Sequence, residues 1–342
     1  MLAFAPAQDV TDLLDLYLKG DHAAATAPLA TASNVTRLAR DFVADADDWA
    51  AKGATPEEMQ RRRVAAAALA LEFATLRMED EWLVLRPLIE WGCALVRGAD
   101  RPDAPPTQAT DAELAWHRAA LAAIQGARDQ QFARRPVISA DRPDLPFSAD
   151  HIAHAAERFP SDPAVLFAQG FFEEFQIPVE GRMRLIDIDT AARASARALE
   201  FYRGAAADPE LAADAALAVG YIHLRMKRFD EVLPELANAV RGGDAFVRYL
   251  ALLLRGRAIE QLGGGEEAVA AYRAALTVIP NAQSASMALA ALLHQADRPD
   301  EAIDIMTKSF AARPAEDPWR EYGFGQFRHW TRYRDRMREA LR

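Results

Sequence analysis

Two stretches of this chain, one beginning near Arg248 and the next near Gln283, carry matching residue types at an offset of 34. Gly256 falls over Ala290, Ala268 over Ala302, Tyr272 over Met306, Ala275 over Ser309 and Pro280 over Pro314. A period of this length constrains a fold more than any composition figure. It marks a supersecondary unit that cannot bury its apolar face alone and must stack on copies of itself. A third unit precedes these, with Gly220, Val232, Leu236 and Ala239 at the matching places and Asp244 where the proline would stand. A fourth is split: Asp162-Pro163 opens a helix in the favoured N-cap and first-turn order, and Leu166 and Gly170 follow in register. An insertion over Ile177–Thr190 separates that helix from its partner at Ala191–Ala207.

Each repeated position has a physical reason. A small residue on the first helix of a pair lets the second approach, and Ala268 is the small residue expected opposite it. Tyr272 and Met306 are expected to fill the gap towards the following pair. Proline cannot continue a helix, so Pro280 and Pro314 mark the ends of second helices. The spacing Gly256-x2-Ile259, Ala268-x3-Tyr272, Pro280 resembles the tetratricopeptide repeat, a helix–turn–helix unit of about 34 residues. The resemblance runs in register over residues 213–316, reaches back with an insertion over 148–212, and thins towards the N-terminus. There, Gly20, Ala25, Leu29 and Ala32 match a turn and second helix, Asp111–Arg128 and Ala155 with Pro160 suggest another pair, and Ala54–Arg97 reads as two long helices outside the pattern.

The resemblance implies an all-α, right-handed α-solenoid of helix pairs with irregular N-terminal helices and a C-terminal capping helix. The expected divisions are an N-terminal helical region over 1–105, a repeat array over 106–316 and a capping segment over 317–342, since the last apolar face of an array needs cover. Proline-rich stretches at Gly98–Thr110 and Arg134–Ser148 read as connections.

Composition agrees. Alanine accounts for 74 of 342 residues, against 17 glycines and 8% aromatics, which favours closely packed helices over a β-sandwich or barrel. The net charge of −10 argues against a dedicated nucleic-acid binder. No apolar run approaches the ~20 residues of a membrane span; the longest, Val64–Leu76, contains Glu72 and reads as a buried helix. Cys93 is the single cysteine, so no intrachain disulfide forms. The first eight residues resemble the small-residue tail of a signal peptide, which leaves cytoplasmic and exported locations both open. Arginine outnumbers lysine 36 to four, which with the alanine excess suggests a GC-rich bacterial genome.

Candidates for chemistry are few. His151 and His154, three apart with Asp150 and Glu157 on the same face, are a conceivable metal pair, but the second helix of ligands is not legible. Glu113 and His117 lack the second histidine of a zinc-protease pattern, Glu173-Glu174 follows Phe171-Phe172 without a partner base, and Gly263-Gly264-Gly265 is a turn without the lysine of a phosphate loop. The expectation is therefore no catalytic residue, no metal and no cofactor.

What the resemblance does imply is a groove lined by the first helix of each pair. Carried over by register, it offers Phe167, Phe171, Glu174 and Phe175, then Leu217, Tyr221, Leu224 and Arg225, then Leu253, Arg257, Glu260 and Gln261, and finally Met287, Ala291, His294 and Gln295. An aromatic end grading into Arg, Gln and His suits a protein or peptide partner, with aromatics as anchors and arginines for carboxylates. Leu217, Tyr221, Leu253 and Arg257 stand where relatives that bind the acidic tail of chaperones carry a lysine and asparagine clamp, so that tail is not the expected ligand. The aromatic end has a second possible occupant, the chain's own loops or N-terminal helices. The alternative role is self-assembly: residues 9–58 carry a charge of −6 and residues 320–342 carry +4, so opposite ends of neighbouring copies would attract.

Overall fold

The computed structural model describes residues 9–97, 110–134, 144–174, 188–311, 317–322 and 328–342, and every regular element among them is a helix. The chain forms two compact units, Met1–Phe159 with Phe324–Arg342, and Pro160–Gly323.

The first unit holds α1 (Val10–Leu18), α2 (His22–Ala30), α3 (Val35–Ala51), α4 (Pro56–Leu76), α5 (Met78–Arg97), α6 (Asp111–Arg134) and α7 (Asp144–Arg158), joined by α17 (Trp330–Ala340) from the far end of the chain. Polar caps set the helix starts. Asp9, Asp21, Asn34 and Thr55 each accept a hydrogen bond from a backbone N–H of the first turn that follows. The helix α4 is buried almost all round from Val64 to Ala74, Glu72 included. That carboxylate is met by the Tyr17 hydroxyl, which donates at 2.5 Å, and by the Arg338 guanidinium of α17. Arg61 of α4 also donates to the Leu341 carbonyl at 2.7 Å, where α17 ends and carbonyls need donors.

The second unit holds α8 (Pro163–Glu174), α9 (Ile188–Ala205), α10 (Ala212–Arg225), α11 (Phe229–Gly242), α12 (Ala245–Gln261), α13 (Gly265–Val278), α14 (Gln283–Gln295), α15 (Pro299–Ala311) and the single turn α16 (Pro318–Glu321). Odd-numbered helices from α9 to α15 pack beside the helix before them, making four tetratricopeptide-like pairs. Within three of these the glycine of the first helix lies under a bulky side chain of the second. A Cβ on Gly170 would come within 3.0 Å of the Tyr202 ring, on Gly220 within 2.7 Å of Leu236, and on Gly256 within 2.4 Å of the Tyr272 ring. This corrects the expected direction of Tyr272: its ring closes its own pair over Gly256, where the space is, and its hydroxyl donates to Glu260 at 2.7 Å.

The turn inside a pair is equally regular. Lys227, Gly263 and Asp297 take positive φ of 58°, 81° and 58°. Around each, the next N–H reaches back five residues, Arg228 to His223, Gly264 to Ile259 and Arg298 to Leu293, the bond that satisfies the carbonyls left open at a helix end. Gly20, at φ 90°, and the Asp21-to-Leu16 bond reproduce this turn between α1 and α2.

In the first unit α6 packs on α4 and α5. In the second unit α16 lies on α12, and in the first α17 packs on α6 and α4. On α15, Ile303 and Phe310 remain 63% and 71% exposed. Arg338 of α17 pairs with Glu72 of α4 within the first unit. Among the described residues no helix is long and apolar enough to cross a membrane.

Candidate functional site

The first helices of the pairs, α8, α10, α12 and α14, present the register positions expected to bind a partner. Part of this face holds a short stretch of the chain itself. Asp317 caps α16, accepting from the Trp319 N–H at 3.0 Å, with Pro318 in the first helical position. Its other carboxylate oxygen accepts from the Ser284 N–H at 2.6 Å. That contact answers a local deficiency: α14 starts after Ala282, which has no side chain able to cap it. Tyr249 of α12 completes the arrangement by donating to Asp317 at 3.3 Å and accepting from the Ala285 N–H at 3.3 Å. Burial and the facing carboxylate push its phenol well up, so it stays a donor.

The aromatic residues of the same stretch extend the contact. Trp319 and Tyr322 stack on one another, and Tyr221 of α10 meets both edge-on, with ring centroids 5.5 and 5.2 Å away. Arg257 of α12 lies over the Trp319 ring at 4.7 Å, and Arg225 over the Tyr221 ring at 5.4 Å. Arg320 donates to the Gln283 carboxamide.

Glu174 sits at the α8 end of this cluster, 4% exposed. Tyr202 donates to it at 2.7 Å, and Tyr322 at 3.2 Å. Burial lifts its carboxyl to about 7, against the downward pull of the Tyr202 bond, the Arg225 charge and the Tyr322 bond. The neighbouring Glu173 behaves differently: it turns outward into a two-pronged pair with Arg197 at 2.7 and 2.8 Å. The two carboxylates therefore do not act as a pair.

Of the residues expected to line the groove, Glu174, Tyr221, Arg225 and Arg257 converge on the 317–322 stretch. Phe167 instead points into the α8–α9 pair against Tyr202, at 5.0 Å, and Phe171 is buried. Leu217 and Leu253 are core residues, and Gln261, Ala291, His294 and Gln295 are exposed. Phe175 lies outside the described residues. Among the described residues, the aromatic end meets the C-terminal stretch 317–322; residues 135–143 and 175–187, which include most of the two loops expected to cover it, lie outside the described residues. Register alone missed Tyr202, Tyr249, Ser284 and Asp317. The Asp317-Pro318 helix start just before Trp319 and Tyr322 was their visible signal.

The histidine candidates fall in the first unit. His151 Nδ1 and Cys93 Sγ lie 2.9 Å apart, and the rings of His117 and His151 stack at 5.4 Å. Arg86, Glu90, Cys93, Asp150, His154 and Glu157 border a cavity of about 500 Å³ there. Among the described residues no group of three or more His, Cys, Asp or Glu side chains is placed to hold a metal ion. Glu113 is fully engaged by Arg158, which donates at 2.7 and 2.9 Å.

No family model matches the chain, and no curated protein matches it. Among solved structures it is similar to MamA AMB-1, at 18% identity over 49% of this chain and 89% of that one, with a TM-score of 0.36. It is also similar to yeast Tom70, at 13% identity over 97% of this chain and 66% of that one, with a TM-score of 0.36. The helix-pair architecture rests on the packing and turns described above.

Proposed function

We propose that this protein is a scaffold, without catalysis of its own, that holds another protein or peptide on the first-helix face of the 160–323 unit. The supporting observation is that this face already accommodates a short peptide stretch. It does so with a carboxylate on the Ser284 backbone N–H, an arginine over an indole, and a buried glutamate accepting from a tyrosine. Those are contacts by which repeat surfaces recognise extended segments, aromatic anchors in packed sites with charged groups fixing register. Arg225, Tyr221 and Arg257 carry the recognition in this reading, and Gln261, His294 and Gln295 extend it along exposed helix ends.

Affinity capture with full-length wild type and with Arg257→Glu tests the reading. Reversing this charge removes the cation over the indole site while leaving the helix pairs intact, so partners held on this face should be lost. Identical partner sets from the two proteins would show that the face is not the binding site.

A further inference from the structure

The 317–322 stretch has features of a ligand rather than of a core element. It is one helical turn long, Arg320 is exposed, and Trp319 and Tyr322 are only half-buried. Its grip comes from three side chains at fixed intervals. Asp317 supplies the cap that Ala282 cannot give α14, Trp319 lies between Tyr221 and Arg257, and Tyr322 reaches Glu174. The receiving surface is matched to that pattern. The Ser284 N–H at the start of α14 takes a carboxylate acceptor, the Arg257 guanidinium takes an aromatic face, and the Glu174 carboxyl takes a hydroxyl donor.

Resting on the scaffold reading above, we infer that Asp317–Tyr322 is an internal occupant of the partner site. The partner is a protein segment bearing the same pattern, an acidic residue with aromatic residues two and five positions further on, and it docks by displacing the chain's own copy. Tethering gives the internal copy an effective concentration in the millimolar range. With an intrinsic dissociation constant near 100 μM for the internal copy, a partner segment would then bind roughly tenfold more weakly to the wild type than to a protein whose site has been emptied.

The test uses the full-length protein and a fluorescein-labelled peptide of residues 316–323 (EDPWREYG), titrated by fluorescence anisotropy. Trp319→Ala/Tyr322→Ala should bind it at least tenfold more tightly than wild type. Arg257→Glu in that background should abolish binding, as should replacing the peptide's aspartate or tryptophan by alanine. A second peptide that keeps only Asp, Trp and Tyr at these intervals in a Gly/Ser context should bind within about threefold of the first. If only the native sequence binds, the face recognises this chain alone and the partner half of the inference falls. If wild type is an exchanged dimer that the peptide converts to monomer, the occupant is a second copy and the inference is likewise overturned. Where the double variant does not fold, Asp317→Ala, which loosens the stretch at one end, is read the same way. A folded, emptied protein that binds neither peptide shows the stretch to be a structural strut. The scaffold reading itself survives that result if affinity capture still responds to Arg257→Glu, and falls with it if capture does not.

Discussion

Replacing Glu174 by glutamine should make the second unit's stability less dependent on pH, by an amount the structure sets. The wild-type carboxyl titrates near 7 in the folded chain, against an ordinary value of 4.5, because burial disfavours its charge. A displacement of that size corresponds to about 3 kcal/mol, at about 1.4 kcal/mol per pH unit. The folded state holds the proton more tightly than the unfolded one. The associated stability is therefore complete below about 4.5, is lost as pH rises through about 7, and changes no further above that. Glutamine is nearly isosteric, carries no proton to lose, and can still accept from Tyr202 and Tyr322. The two proteins should be closely matched near pH 4.5, and the variant should gain on wild type by about 3 kcal/mol by pH 8. Contributions from every other titrating group cancel in that difference. Urea-dependent hydrogen exchange of the α8 and α10 amides, measured from pH 4.5 to 8, reads the relevant unit without interference from the other. A difference that stays constant across this range would refute the reasoning, because it would mean Glu174 titrates as an ordinary carboxylate.

Other expectations follow from named contacts. Gly256→Ala places a methyl group into the Tyr272 ring and should cost about 1–3 kcal/mol in urea denaturation. Adding Tyr272→Leu should cost less than the two single changes together, since the clash disappears. Arg338→Met strands the buried Glu72 beside Tyr17 and should cost about 3 kcal/mol or more, while the double variant with Glu72→Gln recovers part of it. Asp317→Ala should speed hydrogen exchange at Ser284 and its neighbours by several-fold, because α14 loses the acceptor at its start; unchanged exchange there would show that solvent serves equally well.

The helix pairs were readable because their markers are local. Gly220 and Gly256 occur where two backbones come close, and Pro280 stands where a helix must stop, so each leaves a trace at a fixed interval in the sequence. The site was readable only in part. Tyr221, Arg225 and Arg257 sit at the register positions, but Phe167 occupies a nominal groove position and faces Tyr202 instead. A register carries the average orientation of a helix. It does not carry the individual packing of α8, whose Phe167 meets the Tyr202 ring of α9. Asp317 was beyond reach for another reason. Its role depends on Ala282, 35 residues earlier, failing to cap a helix, and such a complementary pair has no period. The packing of α17 on α6 and α4, far away in sequence, likewise has no period.

Asp317 also alters how the array should come apart. In a simple repeat stack each pair answers only to its neighbours, and unfolding can creep inward from either end. Here a residue beyond the last pair reaches α14, lies against α12 through Tyr249, and is followed by aromatic side chains that meet α10 and α8. One short stretch thus ties the first helix of all four pairs together, turning a chain of nearest-neighbour links into a closed circuit. The helix left outside it is α15, whose Ile303 and Phe310 face solvent. Fraying should begin there and stop at α14, with the remaining helices opening together.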